Sequence, residues 1–161
     1  QVELLMSSSA FPNGISAGDL ALGPDGSVYV SGGGVLARRP SGTVDVLLAS
    51  GNATALDVDA VGVVHVVQSA APTQGFRIPP TGPIGPLIDA SGDGQGHPLQ
   101  SAGEVVVSDG PEKRIVVVGT LSNNAFLITD VSTEVVPLLG PAGWGALALA
   151  LLGASALARR R

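Results

Sequence analysis

Self-similarity at a fixed spacing limits this chain more than any other feature, because a segment that recurs every few tens of residues folds as a stack of like units. DLALGPDGSVYV, from Asp19 to Val30, lies over ALDVDAVGVVHV, from Ala55 to Val66, without a gap. Gly26 pairs with Gly62, Val28 with Val64 and Val30 with Val66, each at a spacing of 36 residues. Both segments alternate apolar and polar residues on either side of a Gly-containing turn, the pattern of two strands in a hairpin.

The repeat extends further. VLARRPSGTVDVLL, from Val35 to Leu48, lies over GFRIPPTGPIGPLI, from Gly75 to Ile88, pairing Leu36 with Phe76, Pro40 with Pro80, Gly42 with Gly82 and Leu47 with Leu87. A looser third copy runs through EVVV at Glu104 to Val107, the polar turn SDGPEKR, IVVVG at Ile115 to Gly119, and NAFLI at Asn124 to Ile128, with Phe126 in the Phe76 place. Its last strand falls at about 133–136. VELLM at the front matches VDVLL at Val44 to Leu48, which makes residues 2–6 the last strand of an earlier unit.

Four-stranded units of this length cannot bury their own apolar faces and are built to be stacked, as in the blades of a β-propeller. The expected fold is all-β: an incomplete propeller over 1–134, with blades at about 19–51, 54–90 and 103–136, followed by a C-terminal transmembrane helix. Twenty-three Gly and 12 Pro among 161 residues fit this turn-dense reading, since both break helices.

The remaining 135–161 reads VVPLLGPAGWGALALALLGASALARRR, and from Gly143 to Ala158 only Ser155 is polar. Sixteen residues of helix span about 24 Å, against about 30 Å for a bilayer core, so the preceding apolar segment is expected to contribute. Arg159, Arg160 and Arg161 hold that end in the cytoplasm by the positive-inside rule, and Trp144 stands where a ring occupies the outer interface. Pro137 and Pro141 keep the approach to the helix extended.

These residues resemble the PEP-CTERM class of exosortase-type sorting signals, most closely the variant named IPTL-CTERM, in which a Pro-containing motif leads to a Trp-Gly pair, a helix and arginines. The matching residues are Val136, Pro137, Leu138, Leu139, Trp144, Gly145 and the three arginines, with the motif at 136–145 and the helix at 144–158. Leu138 replaces the usual Thr after Pro, and Gly143 the usual Ser before Trp. The resemblance implies a protein exported from a Gram-negative bacterium, delivered to the membrane and processed by an exosortase-like enzyme. The chain opens QVELLM, with neither an initiator Met nor a basic-then-apolar leader, so a signal peptide is expected to precede Gln1.

A second resemblance, to NHL-type propeller repeats, is carried by Asp89, Gly92, Asp93, Gly94, Gly96, Leu99, Gly103, Val105, Val107, Val117, Gly119, Asn123, Asn124 and Phe126. Related six-bladed propellers include lactone hydrolases that hold a divalent metal on the channel axis. Glu104, Asn124 and Asp19 are the counterparts which that resemblance implies.

Chemistry-bearing residues are otherwise sparse. Thirteen acidic residues against eight basic, three of them the terminal arginines, leave residues 1–158 at −8, which opposes binding to nucleic acid or anionic lipid. The absence of cysteine excludes disulfides, thiolate metal sites and a Cys nucleophile. Asp89, Ser91 and Asp93 before Gly94 imitate the start of an EF-hand loop, but Gln100 stands where the bidentate Glu belongs and Pro98 intervenes, so a structural turn is expected. His65, in the place of Tyr29, and His97 have no second ligand at metal-binding spacing and are read as structural. Lys113 and Arg114 are read as a solvated turn. Asn52-Ala53-Thr54 matches a glycosylation sequon, a short pattern that recurs by chance.

The expected function is that of a non-enzymatic binding or matrix scaffold at the cell surface or secreted, without cofactor or metal, its partners a sorting enzyme and an envelope ligand. The alternatives are a propeller hydrolase of the gluconolactonase type, and a fragment with no function of its own.

Overall fold

The structure, a computed structural model, describes residues 4, 6, 8–10, 18–110 and 112–129. Among the described residues eleven strands form three antiparallel sheets, each a simple meander in chain order. The first holds β1 (Leu20–Leu22), β2 (Val28–Ser31), β3 (Val35–Arg38) and β4 (Val44–Leu48). The second holds β5 (Ala53–Val58), β6 (Val64–Gln68), β7 (Gln74–Ile78) and β8 (Gly85–Ile88). The third holds β9 (Ala102–Asp109), β10 (Lys113–Gly119) and β11 (Asn124–Thr129). The described fold is therefore all-β, and the sheets do not close on one another.

Hairpin chemistry explains why the strands turn where they do. Gly26, Gly62, Gly42 and Gly82 stand in the four matching hairpins of the first two sheets at φ of 79°, 84°, 90° and 101°, a left-handed conformation that a side chain resists. The turns close alike, with the Gly26 amide donating to the Gly23 carbonyl at 3.0 Å and the Gly62 amide to that of Asp59 at 2.9 Å.

Register repeats from sheet to sheet. Val30 lies opposite Leu20 and Leu36, Val66 opposite Leu56 and Phe76, and Val117 opposite Val105 and Phe126. Because side chains alternate across a strand, these residues share the front face of each sheet, which looks toward the start of the chain. Tyr29, His65 and Val116 share the back.

The core is the space between a back face and the next front face. Tyr29, Val35 and Ala37 from the first sheet meet Leu56, Val64, Val66 and Ile78 from the second. Ala55 and Val67 on the other side of the second sheet meet Val105, Ile115, Val117 and Phe126 from the third, with Leu99 and Ala102 completing that cluster. Burying such side chains contributes about 1.5–3 kcal/mol each. Val28, Val30 and Leu36, on the front of the first sheet, are covered by Met6 and Ala10.

Two expected features differ. Lys113 and Arg114, expected in a solvated turn, are the first residues of β10, paired with Asp109 and Ser108. Of the expected strand 2–6 only Leu4 and Met6 are described, and neither lies in a strand. The expected strand at 133–136, the sorting motif and the transmembrane helix lie outside the described residues. Among the described residues no helix is long and apolar enough to cross a membrane.

Candidate functional site

The polar residues that the fold gathers sit along the first strands of the sheets. The first strand of a sheet has only one hydrogen-bonded neighbour, so amides on its open side need acceptors from elsewhere. Asp19 supplies one: its Oδ1 accepts the Leu20 amide at 2.8 Å and its Oδ2 accepts the Leu56 amide of the second sheet at 3.1 Å. Asp57 repeats the arrangement one sheet on, with Oδ1 accepting the Val58 amide at 2.8 Å and Oδ2 the Val107 amide at 2.7 Å. In both cases a single carboxylate bridges its own strand to the next sheet. Thr54 adds a tie, its hydroxyl donating to the Ala102 carbonyl at 2.6 Å, and Asp109 another, accepting the Ala60 amide at 2.9 Å.

A second cluster is buried between the second and third sheets. Asp59 follows β5, and its Oδ1 accepts the Val61 and Val63 amides at 3.1 and 2.8 Å. Its Oδ2 lies 3.1 Å from Nε2 of His65 and accepts from Lys113 Nζ at 2.7 Å. His65 and Asp59 are almost wholly buried, and Nδ1 of the ring has no hydrogen-bond partner. Burial pushes the imidazole below its ordinary pKa, and Lys113 and Arg77 push the same way against the pull of Asp59. Burial opposes ionisation of Asp59 too, but the bonds from Lys113, His65 and the Val63 amide outweigh it and hold the carboxyl below the usual range. A His-Asp pair can move protons only where a substrate reaches the ring. Here no hydroxyl or thiol bonds to the imidazole and no solvent touches it, so the arrangement fastens one sheet to the next.

A cleft of about 560 Å³ opens between the outer strands, lined by Pro86, Ile88, Asp89, Asp93, Phe126 and Ile128 among others. The acidic residues at its rim are engaged in the turn. Asp89 accepts from the Ser91 amide at 2.8 Å, and Asp93 from the Gln95 amide at 2.8 Å and His97 Nδ1 at 2.7 Å. The Ser91 hydroxyl and amide hold the Asp89 carboxyl below the usual range, and the His97 ring does the same for Asp93. Both carboxylates thus serve the loop's own groups, the behaviour of Asx turns.

The residues suggested by likeness to lactone hydrolases are likewise spoken for or apart. Asp19 has both oxygens on amides, Asn124 donates to the Pro98 carbonyl at 2.9 Å, and Glu104 is exposed. Among the described residues no group of three or more His, Cys, Asp or Glu is placed to hold a metal ion. In the sequon, Asn52 bonds to the Ser69 hydroxyl at 3.1 Å while Thr54 makes its tie to the third sheet. Phe76 and Phe126 stand in the same register on the third strands of their sheets. Val136, Pro137, Leu138, Leu139, Trp144, Gly145 and Arg159 to Arg161 lie outside the described residues.

Sequence reasoning missed Asp57 and Asp59, and it gave Thr54 only as part of a sequon. The signal was present in ATALDVDAVG, where two aspartates interrupt an apolar strand at alternate positions and cost more than a solvated strand residue unless each has a partner. No protein family, curated protein or solved structure matches the chain.

Proposed function

We propose that the chain is the propeller-like part of an exported protein of the bacterial cell envelope, carried to the membrane by its C-terminal sorting tail and acting there as a binding or matrix scaffold. One observation carries the stacked part of this reading: the same register, from Leu20, Val30 and Leu36 through Leu56, Val66 and Phe76 to Val105, Val117 and Phe126, recurs in three successive meander sheets packed back to front. That is how blades are joined, and the finer description as an NHL-like propeller rests on it together with the repeat in the sequence. The tail reading rests on the apolar run, Trp144 and the arginine cluster.

The scaffold role is favoured over a gluconolactonase-type hydrolase by where the carboxylates go. Asp19 and Asp57 are bound to backbone amides, and the buried histidine is tied to Asp59 and Lys113 without access for a substrate. The deciding experiment is mass spectrometry of the protein expressed in a host that carries a sorting enzyme, comparing envelope and secreted fractions. A mature C-terminus before Trp144 is the expected result. An intact Arg161 terminus in every fraction would reduce the tail to a permanent anchor and remove the processing step.

A further inference from the structure

The cluster between the second and third sheets holds the parts of a reaction as well as those of an ion pair. The two oxygens of the Asp59 carboxylate are set in different surroundings. Oδ1 accepts the Val61 and Val63 amides at 3.1 and 2.8 Å, two backbone donors converging on one atom. Oδ2 accepts from Lys113 Nζ at 2.7 Å and lies 3.1 Å from Nε2 of His65. The side chains of Asp59 and His65 are 0% and 1% exposed, and that of Lys113 is 27% exposed. A nitrogen that close to a carboxylate oxygen stands about 3.5 Å from the carboxyl carbon, the separation from which an amine attacks.

Each surrounding group favours that attack. Paired donors on Oδ1 hold the negative charge that this oxygen gains when a nucleophile adds to the carbon. Burial excludes bulk water and weakens the preference for the ionised pair over a neutral amine beside a neutral acid. Nδ1 of His65 has no hydrogen-bond partner, so no bond there fixes which ring nitrogen carries the proton. The imidazole is therefore able to take up a proton at Nε2 and give it back.

We propose that Lys113 and Asp59 condense into an amide, a covalent cross-link between the second and third sheets. Lys113 first passes a proton to Oδ2, which leaves a neutral amine beside a carboxylic acid. The amine attacks Cγ, and Oδ1 takes the charge under the Val61 and Val63 amides. The nitrogen then gives a second proton to His65 Nε2, which delivers it to the Oδ2 hydroxyl. As the Cγ–Oδ2 bond breaks, Oδ1 returns to a carbonyl and water leaves, both of its protons drawn from the ammonium. Atoms and charge balance without a further reagent.

The ion pair is the reactant, and it is the form that newly folded protein holds. Burial opposes ionisation of the carboxyl, but its bonds to Lys113, His65 and the Val63 amide keep its pKa below the usual range. The neutral pair is thus a minor species, and the cross-link accumulates slowly. The first interface, with Gly23 and Tyr29 in the Asp59 and His65 positions, has no such pair. This inference rests on the second interface alone and is independent of the sorting tail.

The test follows the intact mass of the full-length chain, folded and held at neutral pH. One water is expected to be lost with time, and digestion is expected to yield a branched peptide that joins the segment holding Asp59 to the one holding Lys113. Lys113→Arg keeps the charge but offers no amine to acylate, so this variant is expected to keep its full mass. Asp-Gly steps such as Asp93-Gly94 also lose water by closing on their own backbone; a loss in Lys113→Arg equal to the parent's assigns it to them and overturns the proposal. His65→Asn keeps both reacting groups and is expected to slow the bond by about a hundredfold, the share of a positioned proton carrier. Formation at the parent's rate in that variant overturns the part given to the ring. A folded parent that keeps its full mass over weeks overturns the cross-link itself.

Discussion

The two interfaces between sheets share one backbone register and differ in what fills it. Between the first and second sheets the position after the inner hairpin is Tyr29, buried as a large ring against Gly23; a Cβ at Gly23 would come within 2.7 Å of its Cε2. Between the second and third sheets the same two positions are His65 and Asp59. The smaller ring leaves room for a carboxylate, and the carboxylate bonds to the ring and to Lys113 from the third sheet. At the third occurrence the pair becomes Val116 and Ser108, neither of them able to form a buried ion pair. One interface is held mainly by apolar contact, the other also by a buried charged group, and the difference turns on whether the residue before the hairpin carries a side chain.

The largest expected effect breaks the second interface alone. Asp59→Ala strips the partner from a partly buried lysine and from the buried His65 and removes the acceptor for two turn amides. Breaking a buried pair by deleting one member costs about 3–5 kcal/mol, and denaturant unfolding of the variant should show a loss of that order. Hydrogen exchange should place the loss at β5, β6, β9 and β10 while β2 and β3 keep their protection. Uniform loss over all three sheets would show that the interfaces are not separable.

A smaller effect is expected at the first interface from Gly23→Ala. The added methyl has no room beside Tyr29, and overpacking of this kind costs about 1–3 kcal/mol. Tyr29→His made together with Gly23→Asp should recover much of that loss by copying the second interface onto the first. In a double-mutant cycle the two changes should then be strongly coupled, because they touch. Additive effects would count against the idea that ring size and the residue before the hairpin are chosen as a pair.

The pattern of strands was legible because glycines recur at places that need a left-handed backbone and apolar residues recur with a period of two. Gly26 with Gly62 and Gly42 with Gly82 mark the hairpins on both readings, and the 36-residue offset places β1 with β5 and β2 with β6. What escaped was long-range. Lys113 looks like part of a solvated loop in SDGPEKR, since nothing local reveals that Asp59, 54 residues earlier, waits across the sheet boundary. Family likeness makes Asp19 a metal candidate, whereas its role follows from an unpaired strand edge, which is a property of the assembled stack. Polar residues in a repeat fold are assigned by their neighbours in the next unit, and a single sequence does not show which unit is next to which face.

The smallest effect is a pH slope, and it should belong to the second interface alone. His65 is held neutral in the fold: its pKa is depressed by burial, with Lys113 and Arg77 adding to that against Asp59, and Asp57 lies opposite it on the neighbouring strand. A group whose folded pKa is lowered takes up its proton more readily when unfolded, so acid favours the unfolded chain. The stability that neutral His65 contributes is therefore complete above about pH 6.5, the ordinary imidazole value, and is lost as the pH falls from there toward the lower folded value. Asp59, also depressed, keeps its contribution until more acid conditions, below the ordinary carboxylate value of 3.8. Unfolding free energies measured on either side of pH 6.5 should fall with acid in the parent and much less in His65→Asn, whereas Tyr29→Phe, at the same position of the other interface, should keep the parent's slope. Matching slopes for the parent and His65→Asn would assign the acid sensitivity elsewhere and leave the two interfaces differing in packing but not in their response to protons.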